Sequence, residues 1–205
     1  MVEEHDAWET VITKDTNVFR AENLKQFDAI FFNNNVGNLF KDETLRQNLL
    51  DFVYAGGGVM GVHGTTAAFA EWPGAHEDWP PFGVMIGARG ASHRINNEHV
   101  FMDLEDPDHP VVQAFDGNAP DFKDEFFRFK DPYSRDLVRI LLSIDKEKTD
   151  MEQGRAYGAV IREDNDYAVA WVKSYGRGRI FYNSFAHNPY VFWDPLMLGY
   201  FQDAI

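Results

Sequence analysis

Gly56-Gly57-Gly58-Val59-Met60-Gly61-Val62-His63-Gly64 is the stretch that decides the fold of this chain. A short apolar run bounded by glycines reads as a buried strand. A strand that breaks into a glycine-framed turn presents its last side chain at the carboxyl edge of a sheet, where open α/β folds place their ligand sites. His63 is therefore the first candidate site residue. In several hydrolase and amidotransferase folds the same turn carries Ser or Cys. An imidazole there points to proton transfer or metal binding, since His is a rare nucleophile.

Working outward, residues 27–32 (Phe-Asp-Ala-Ile-Phe-Phe) read as a buried strand, with Asn33-Asn34-Asn35 as a loop at its carboxyl end. Asp42 caps a helix in which Leu45, Leu49, Phe52 and Val53 recur at helical spacing, and Gly56-Gly57 stops it. A strand, a helix and a second strand with such short joints imply a right-handed crossover and a parallel pair. Upstream, residues 8–13 read as a short strand and 21–26 as a brief helical turn. Downstream, 66–71 is expected to be helical, 72–81 a loop rich in Pro and Trp, and 82–88 a helix. Strands are expected at 98–104, 126–129, 138–144, 157–162, 168–172 and 179–184, with 173–179 joining the last two as a hairpin. Asp194 caps a final helix over 195–205. No repeat, low-complexity tract or linker interrupts the chain, so residues 1–205 read as one domain.

The 205 residues are 44% apolar and 15% aromatic, ample for a substantial core. With 33 acidic against 19 basic residues the formal charge is −14, a field that repels phosphate backbones and anionic bilayers. Nucleic acid and membrane are excluded as expected partners. No apolar run approaches the roughly 18 residues of a membrane span, and the acidic start is unlike an export signal, so a cytoplasmic location is expected. The absence of Cys removes thiolate chemistry altogether.

Seven histidines remain: His5, His63, His76, His93, His99, His109 and His187. His63 and His187 each end an expected strand, and a parallel arrangement brings both rings to one sheet edge. His93, in Gly90-Ala91-Ser92-His93-Arg94, lies in an expected loop able to fold over that edge. His109 reads as structural, in a helix start with Asp108 as cap and Pro110 as first helical residue. His99 reads as packed in a strand, and His5 and His76 lack context. Asp124-Glu125 precede an aromatic strand, with Arg128 as a nearby pairing partner. Glu125 beside Phe126 and Phe129 is a candidate general acid or base with a pKa raised by burial. His63, His93, His187 and Glu125 are all types that bind a divalent ion, but the compact H-E-x-x-H signature is absent, so a metal stays open. No phosphate-cradling glycine loop and no G-x-S-x-G occur, which argues against nucleotide cofactors and a serine nucleophile. Aromatic residues in the loops, Trp72, Trp79 and Trp193, offer flat apolar faces suited to sugar rings, and Asn33 and Arg94 offer polar contacts beside them.

Several motifs in one order resemble the ThuA-like family, named for trehalose utilisation: residues 27–33, 52–63, Ile86-Gly87-Ala88-Arg89 with His93, Asp106-Pro107-Asp108-His109-Pro110, Asp124-Glu125-Phe126-Phe127, and 176–183 running to His187. The resemblance covers nearly the whole chain. It implies a class I glutamine amidotransferase-like fold: a flavodoxin-like, doubly wound, mostly parallel sheet with helices on both faces and an antiparallel hairpin toward the C-terminus. His63 then stands where amidotransferases keep their cysteine, which argues against glutamine hydrolysis. It also implies a substrate class, trehalose-like disaccharides and 3-keto-glycosides made by a partner oxidoreductase. The departure is at the front, where the usual first strand and its loop are missing. The expected function is an enzyme acting on a glycoside or keto-sugar by hydrolysis or elimination. In it His63 and His187 exchange protons, Glu125 acts as acid/base or orienter, and His93 polarises an oxygen. The rivals are a noncatalytic carbohydrate-binding or regulatory domain and a metal-dependent hydrolase. A small sugar is the expected partner, with a homo-oligomer left open.

Overall fold

The computed structural model describes residues 8–71, 77–152 and 162–205. After a short helix α1 (Ala21–Leu24), strand β1 (Ala29–Asn33) leads through helix α2 (Glu43–Tyr54) to β2 (Gly58–Val62). Asp42 caps α2 as expected, its carboxylate accepting from the Thr44 and Leu45 backbone N–H groups. Gly56, at φ +128°, ends the helix in a conformation that costs glycine little. β1 and β2 pair in parallel, Ala29 opposite Gly58 through Asn33 opposite Val62. That is the strand–helix–strand unit read from the sequence.

Helix α3 (Pro80–Ile86) and strands β3 (Arg89–His93), β4 (Glu98–Leu104), β5 (Asp121–Asp124), β6 (Phe127–Lys130), β7 (Arg139–Ile144), β8 (Ala168–Tyr175) and β9 (Gly178–Asn183) follow, and α4 (Pro195–Ala204) closes the chain behind its Asp194 cap. Seven strands form one mixed sheet in the order β1-β2-β9-β8-β7-β4-β5, while β3 and β6 form a separate antiparallel ribbon. One face of the sheet packs on α2 and α3, burying Leu49, Val53, Phe82 and Ile86 with Trp171 and Tyr182. The other packs on α4 and the 3₁₀ turn Pro110–Phe115, burying Met197, Tyr200 and Phe201 with Leu142 and Phe181. Alternation along β9 sends Ile180 and Tyr182 to the first core and Phe181 to the second. No helix among the described residues is long and apolar enough to cross a membrane.

The mostly parallel expectation fails beyond β9: β1–β2 and β2–β9 are parallel, but β9–β8, β8–β7, β7–β4 and β4–β5 are antiparallel. The connections explain it. β8 and β9 are joined by the tight turn at Gly176-Arg177, with Gly176 at φ +59°, and a turn of that length can only reverse the chain. Other local expectations also change. Residues 8–13 belong to no ladder, and Val11 and Ile12 are exposed, because no described strand lies beside them to satisfy their backbone. β1 lies at the edge of the sheet among the described residues, which leaves Phe31 45% exposed rather than buried. The helix expected at 66–71 is instead a 3₁₀ turn at His63–Ala67. His93 lies on strand β3, not in a loop, and β5 was not expected. The cap before Pro110 is His109 itself rather than Asp108: its Nδ1 accepts from the Val111 N–H at 3.2 Å. The strand expected at 157–162 lies, except for Arg162, outside the described residues, as do His5, Trp72 and His76.

Candidate functional site at the ends of β2 and β9

Parallel pairing places Val62 of β2 opposite Asn183 of β9, so the next residues, His63 and Ser184, leave the sheet side by side. This adjacency fixes the His63 ring: its Nδ1 lies 2.9 Å from the Ser184 carbonyl oxygen. A carbonyl only accepts, so Nδ1 carries the ring proton. The turn is shaped for this residue. His63 sits at φ +43°, a left-handed conformation costly for a non-glycine residue and one that clusters at functional sites. Gly64 is required beside it, since a Cβ there would lie 2.5 Å from Asn34 Oδ1, the atom that accepts the Gly64 N–H. The Tyr182 hydroxyl, buried and held above its ordinary pKa by that burial, donates to the His63 carbonyl at 2.7 Å.

Glu125 enters from the turn between β5 and β6. One of its oxygens, Oε1, lies 3.2 Å from His63 Nε2 and 4.0 Å from His187 Nε2; the other, Oε2, lies 3.2 Å from His93 Nδ1. His93 reaches it because β3 pairs with β6, with His93 opposite Phe127. His187 is carried by a loop that Asp124 holds, accepting from the backbone N–H groups of Ala186, His187 and Asn188 at 2.7, 3.1 and 3.0 Å. Its Nδ1 lies 3.0 Å from Asn96 Oδ1. The His63 and His187 ring centroids are 4.9 Å apart, and Phe127 packs 4.7 Å from His63. His63 is buried, Glu125 nearly so, and His187 is one-third exposed, so the cluster is reached from the His187 side.

Electrostatics correct one expectation. Burial alone would raise the Glu125 pKa, but the His63 and His93 contacts outweigh it and hold the carboxyl at about 2. Glu125 is thus an ionised carboxylate at neutral pH and no general acid. The same contact raises the His93 pKa, against an opposing effect of burial, which favours a protonated ring. Among the described residues, His63, Glu125 and His187 each offer one ligand atom, all within 4.8 Å of one another, and form the group able to hold a metal ion.

The four expected catalytic residues therefore meet, while the expected substrate contacts scatter. Asn33 ends β1 on an exposed position opposite Val62. Arg94 is buried, its Nε 3.8 Å from Glu98 Oε1, because the chain turns inward after His93. Arg128 pairs with the same Glu98 rather than with Asp124 or Glu125. Trp79 is partly buried and packs against the core residues Phe69 and Phe82, at 5.1 and 6.4 Å between centroids. Trp193 is 69% exposed on the 3₁₀ turn Pro189–Trp193 that follows His187. Trp72 lies outside the described residues. Asn34, Asn96 and the Asp124 clamp were not anticipated as site-forming. Only Asp124 carried a signal, its place beside Glu125.

The fold and site define an α/β protein in which a histidine–carboxylate cluster sits where the adjacent parallel strands β2 and β9 end. The chain belongs to the ThuA family, described as trehalose utilisation, whose family model matches residues 1–205. A ThuA-like protein from Bacteroides uniformis superposes with a TM-score of 0.77 at 20% identity, covering 99% of this chain and 78% of that one. Another from Parabacteroides merdae gives 0.61 at 18% identity, covering 88% and 70%. A cytoplasmic protein from Salmonella typhimurium gives 0.59 at 14%, covering 94% and 74%. At such identities the likeness is one of fold. No curated protein matches the chain.

Proposed function

We propose that this chain is an enzyme of carbohydrate metabolism that cleaves a glycoside or 3-keto-glycoside at the His63–Glu125–His187 cluster. The observation that carries the reading is the meeting of these three residues with His93 at one sheet edge, in a family linked to trehalose utilisation. A ketone at C3 acidifies the hydrogen on C2. An imidazole that takes that proton lets the C2–H electrons form a C1–C2 double bond as the C1–O bond breaks, and the departing oxygen receives a proton from a second, protonated imidazole. His63 and His187 lie beside each other and both face Glu125 Oε1, which suits the exchange, while His93, favoured in its protonated form, suits the polarised oxygen. Glu125, ionised, orients the rings and stabilises imidazolium. The parallel β1–α2–β2 unit supports a doubly wound, flavodoxin-like reading of this half of the sheet.

The test is a screen of 3-keto-trehalose, related keto-glycosides and plain disaccharides with the wild-type chain, His63→Ala and His187→Ala, each checked for folding by circular dichroism. Loss of a general acid or base typically costs about 10²–10⁴-fold in rate. Losses of that size in both variants support the reading, and undiminished turnover in folded variants overturns it. The exposed Trp193, on the 3₁₀ turn that follows His187 in the chain, favours a second reading, a noncatalytic carbohydrate-binding domain. Sugar binding that survives both histidine substitutions but fails in Trp193→Ala would select it.

A further inference from the structure

We propose that His63 Nε2, His187 Nε2 and Glu125 Oε1 bind one divalent transition-metal ion of the zinc class, with the coordination positions facing solvent left open. The inference concerns the ion and does not depend on the sugar reading. It starts from where the ring protons are. Nδ1 of His63 is held at the Ser184 carbonyl and Nδ1 of His187 faces Asn96 Oδ1, so Nε2 is the nitrogen each ring has left to offer a cation. Both Nε2 atoms approach one carboxylate oxygen, Glu125 Oε1, at 3.2 and 4.0 Å. Three electron-rich atoms face a common point, an arrangement that a cation resolves.

The spacing fits such an ion. Ligands about 2.0–2.1 Å from a tetrahedral centre lie roughly 3.3 Å apart, against 3.2 Å and 4.0 Å here. The longer approach is that of His187, on the more accessible side of the cluster. Two imidazoles and one carboxylate suit zinc and its neighbours, whereas calcium and magnesium favour oxygen ligands throughout. The supporting contacts are those a metal centre needs. Each ligand histidine donates its other N–H to an oxygen, and the far oxygen of Glu125 is held by His93 Nδ1 at 3.2 Å. The left-handed backbone at His63 and the Asp124 clamp beneath residues 186–188 fix two of the three ligands before anything binds. Ion binding and the proton exchange proposed above are alternative uses of the same two Nε2 atoms, so the ion is tested on its own readout.

The full chain, freed of metal by a chelator and dialysed, is titrated with Zn²⁺ by calorimetry and with Co²⁺ by visible absorption. One equivalent is expected to bind. Affinity should fall at least about 100-fold in His187→Ala and in Glu125→Gln. It should fall roughly 10- to 100-fold in Asn96→Ala, which touches no ion and only orients His187. His187 and Asn96 are partly or largely exposed and Glu125→Gln keeps the shape of the side chain, so the result does not rest on whether the buried His63→Ala folds. Absence of binding, or one-to-one binding unchanged in His187→Ala and Glu125→Gln, overturns the proposal. Turnover of 3-keto-trehalose is scored separately. Ion binding without turnover removes the sugar reading alone, and turnover without ion binding removes the metal alone.

Discussion

Glu98 and Arg128 form an ion pair with both members essentially out of solvent, and Arg94 adds a third charge beside them. Burial pushes Glu98 up despite the guanidinium, and pushes Arg128 down despite the carboxylate. For both partners the loss of water is the largest effect. Pairing therefore offsets that cost rather than adding net stability, which gives an unusual pattern of substitutions. Glu98→Ala alone leaves Arg128 buried without its counter-ion and should cost about 3–5 kcal/mol of unfolding free energy. Glu98→Leu with Arg128→Met removes both charges and should cost less than either single change. Chemical denaturation of Glu98→Leu, Arg128→Met and the double variant decides the matter, and a double variant as damaged as the sum of the singles would contradict it. The same contrast separates this trio from the histidine cluster nearby. There the carboxylate of Glu125 ends up well below its ordinary pKa because two rings, the buried His63 and the part-exposed His93, both contact it.

At the level of elements, the 3₁₀ turn Pro110–Phe115 begins on a histidine that serves as its own cap, and this makes one end of the second core sensitive to pH. His109 Nδ1 must keep a lone pair to accept the Val111 N–H. Burial, and then Arg139, hold its pKa below the ordinary histidine value, only partly opposed by Asp106. A depressed pKa means the unfolded chain binds the proton more readily. The contribution of His109 is thus fully present above about pH 6.5 and is lost as pH falls through the lower folded value. His109→Asn keeps a cap without a titrating group, so its melting temperature should fall less than wild type between pH 7.5 and pH 5.5. An equal fall would remove His109 as the cause. Caps and stops of this local kind are what made α2, β2, α4 and the β8–β9 hairpin legible in the sequence, since Asp42, Gly56, Asp194 and Gly176 act on neighbours a few residues away. Pairing is a different matter. β3 reads Arg-Gly-Ala-Ser-His, with no β-branched residue, and is a strand only because β6 lies beside it. The site divides the same way. His63 and His187 were visible as strand ends. The Asn96–His187 contact spans 91 residues and left no local trace, and Arg94 has the right chemistry but is buried beside Glu98.

On the scale of the whole molecule, the ligands proposed for the ion come from positions 63, 125 and 187 and are brought together only when β2, β9 and the β5–β6 turn are all in place. An ion held there binds the folded chain and finds no equivalent set in the unfolded one, so its affinity appears as stability. The net charge of −14 acts in the same direction, drawing a divalent cation toward the surface while leaving a neutral sugar unaffected. At a free ion concentration about 100 times Kd the gain is roughly 2.7 kcal/mol. For a chain of 205 residues, where each kcal/mol moves the midpoint by about 2–4 °C, the melting temperature should rise by roughly 5–11 °C. His187→Ala should abolish most of that rise while melting, without ion, close to the metal-free wild type, since its ring is one-third exposed and fills no core. Calorimetric melting with and without Zn²⁺ reads both numbers. A rise of equal size in wild type and His187→Ala would mean that the ion stabilises the chain elsewhere, through its acidic surface rather than through the sheet edge.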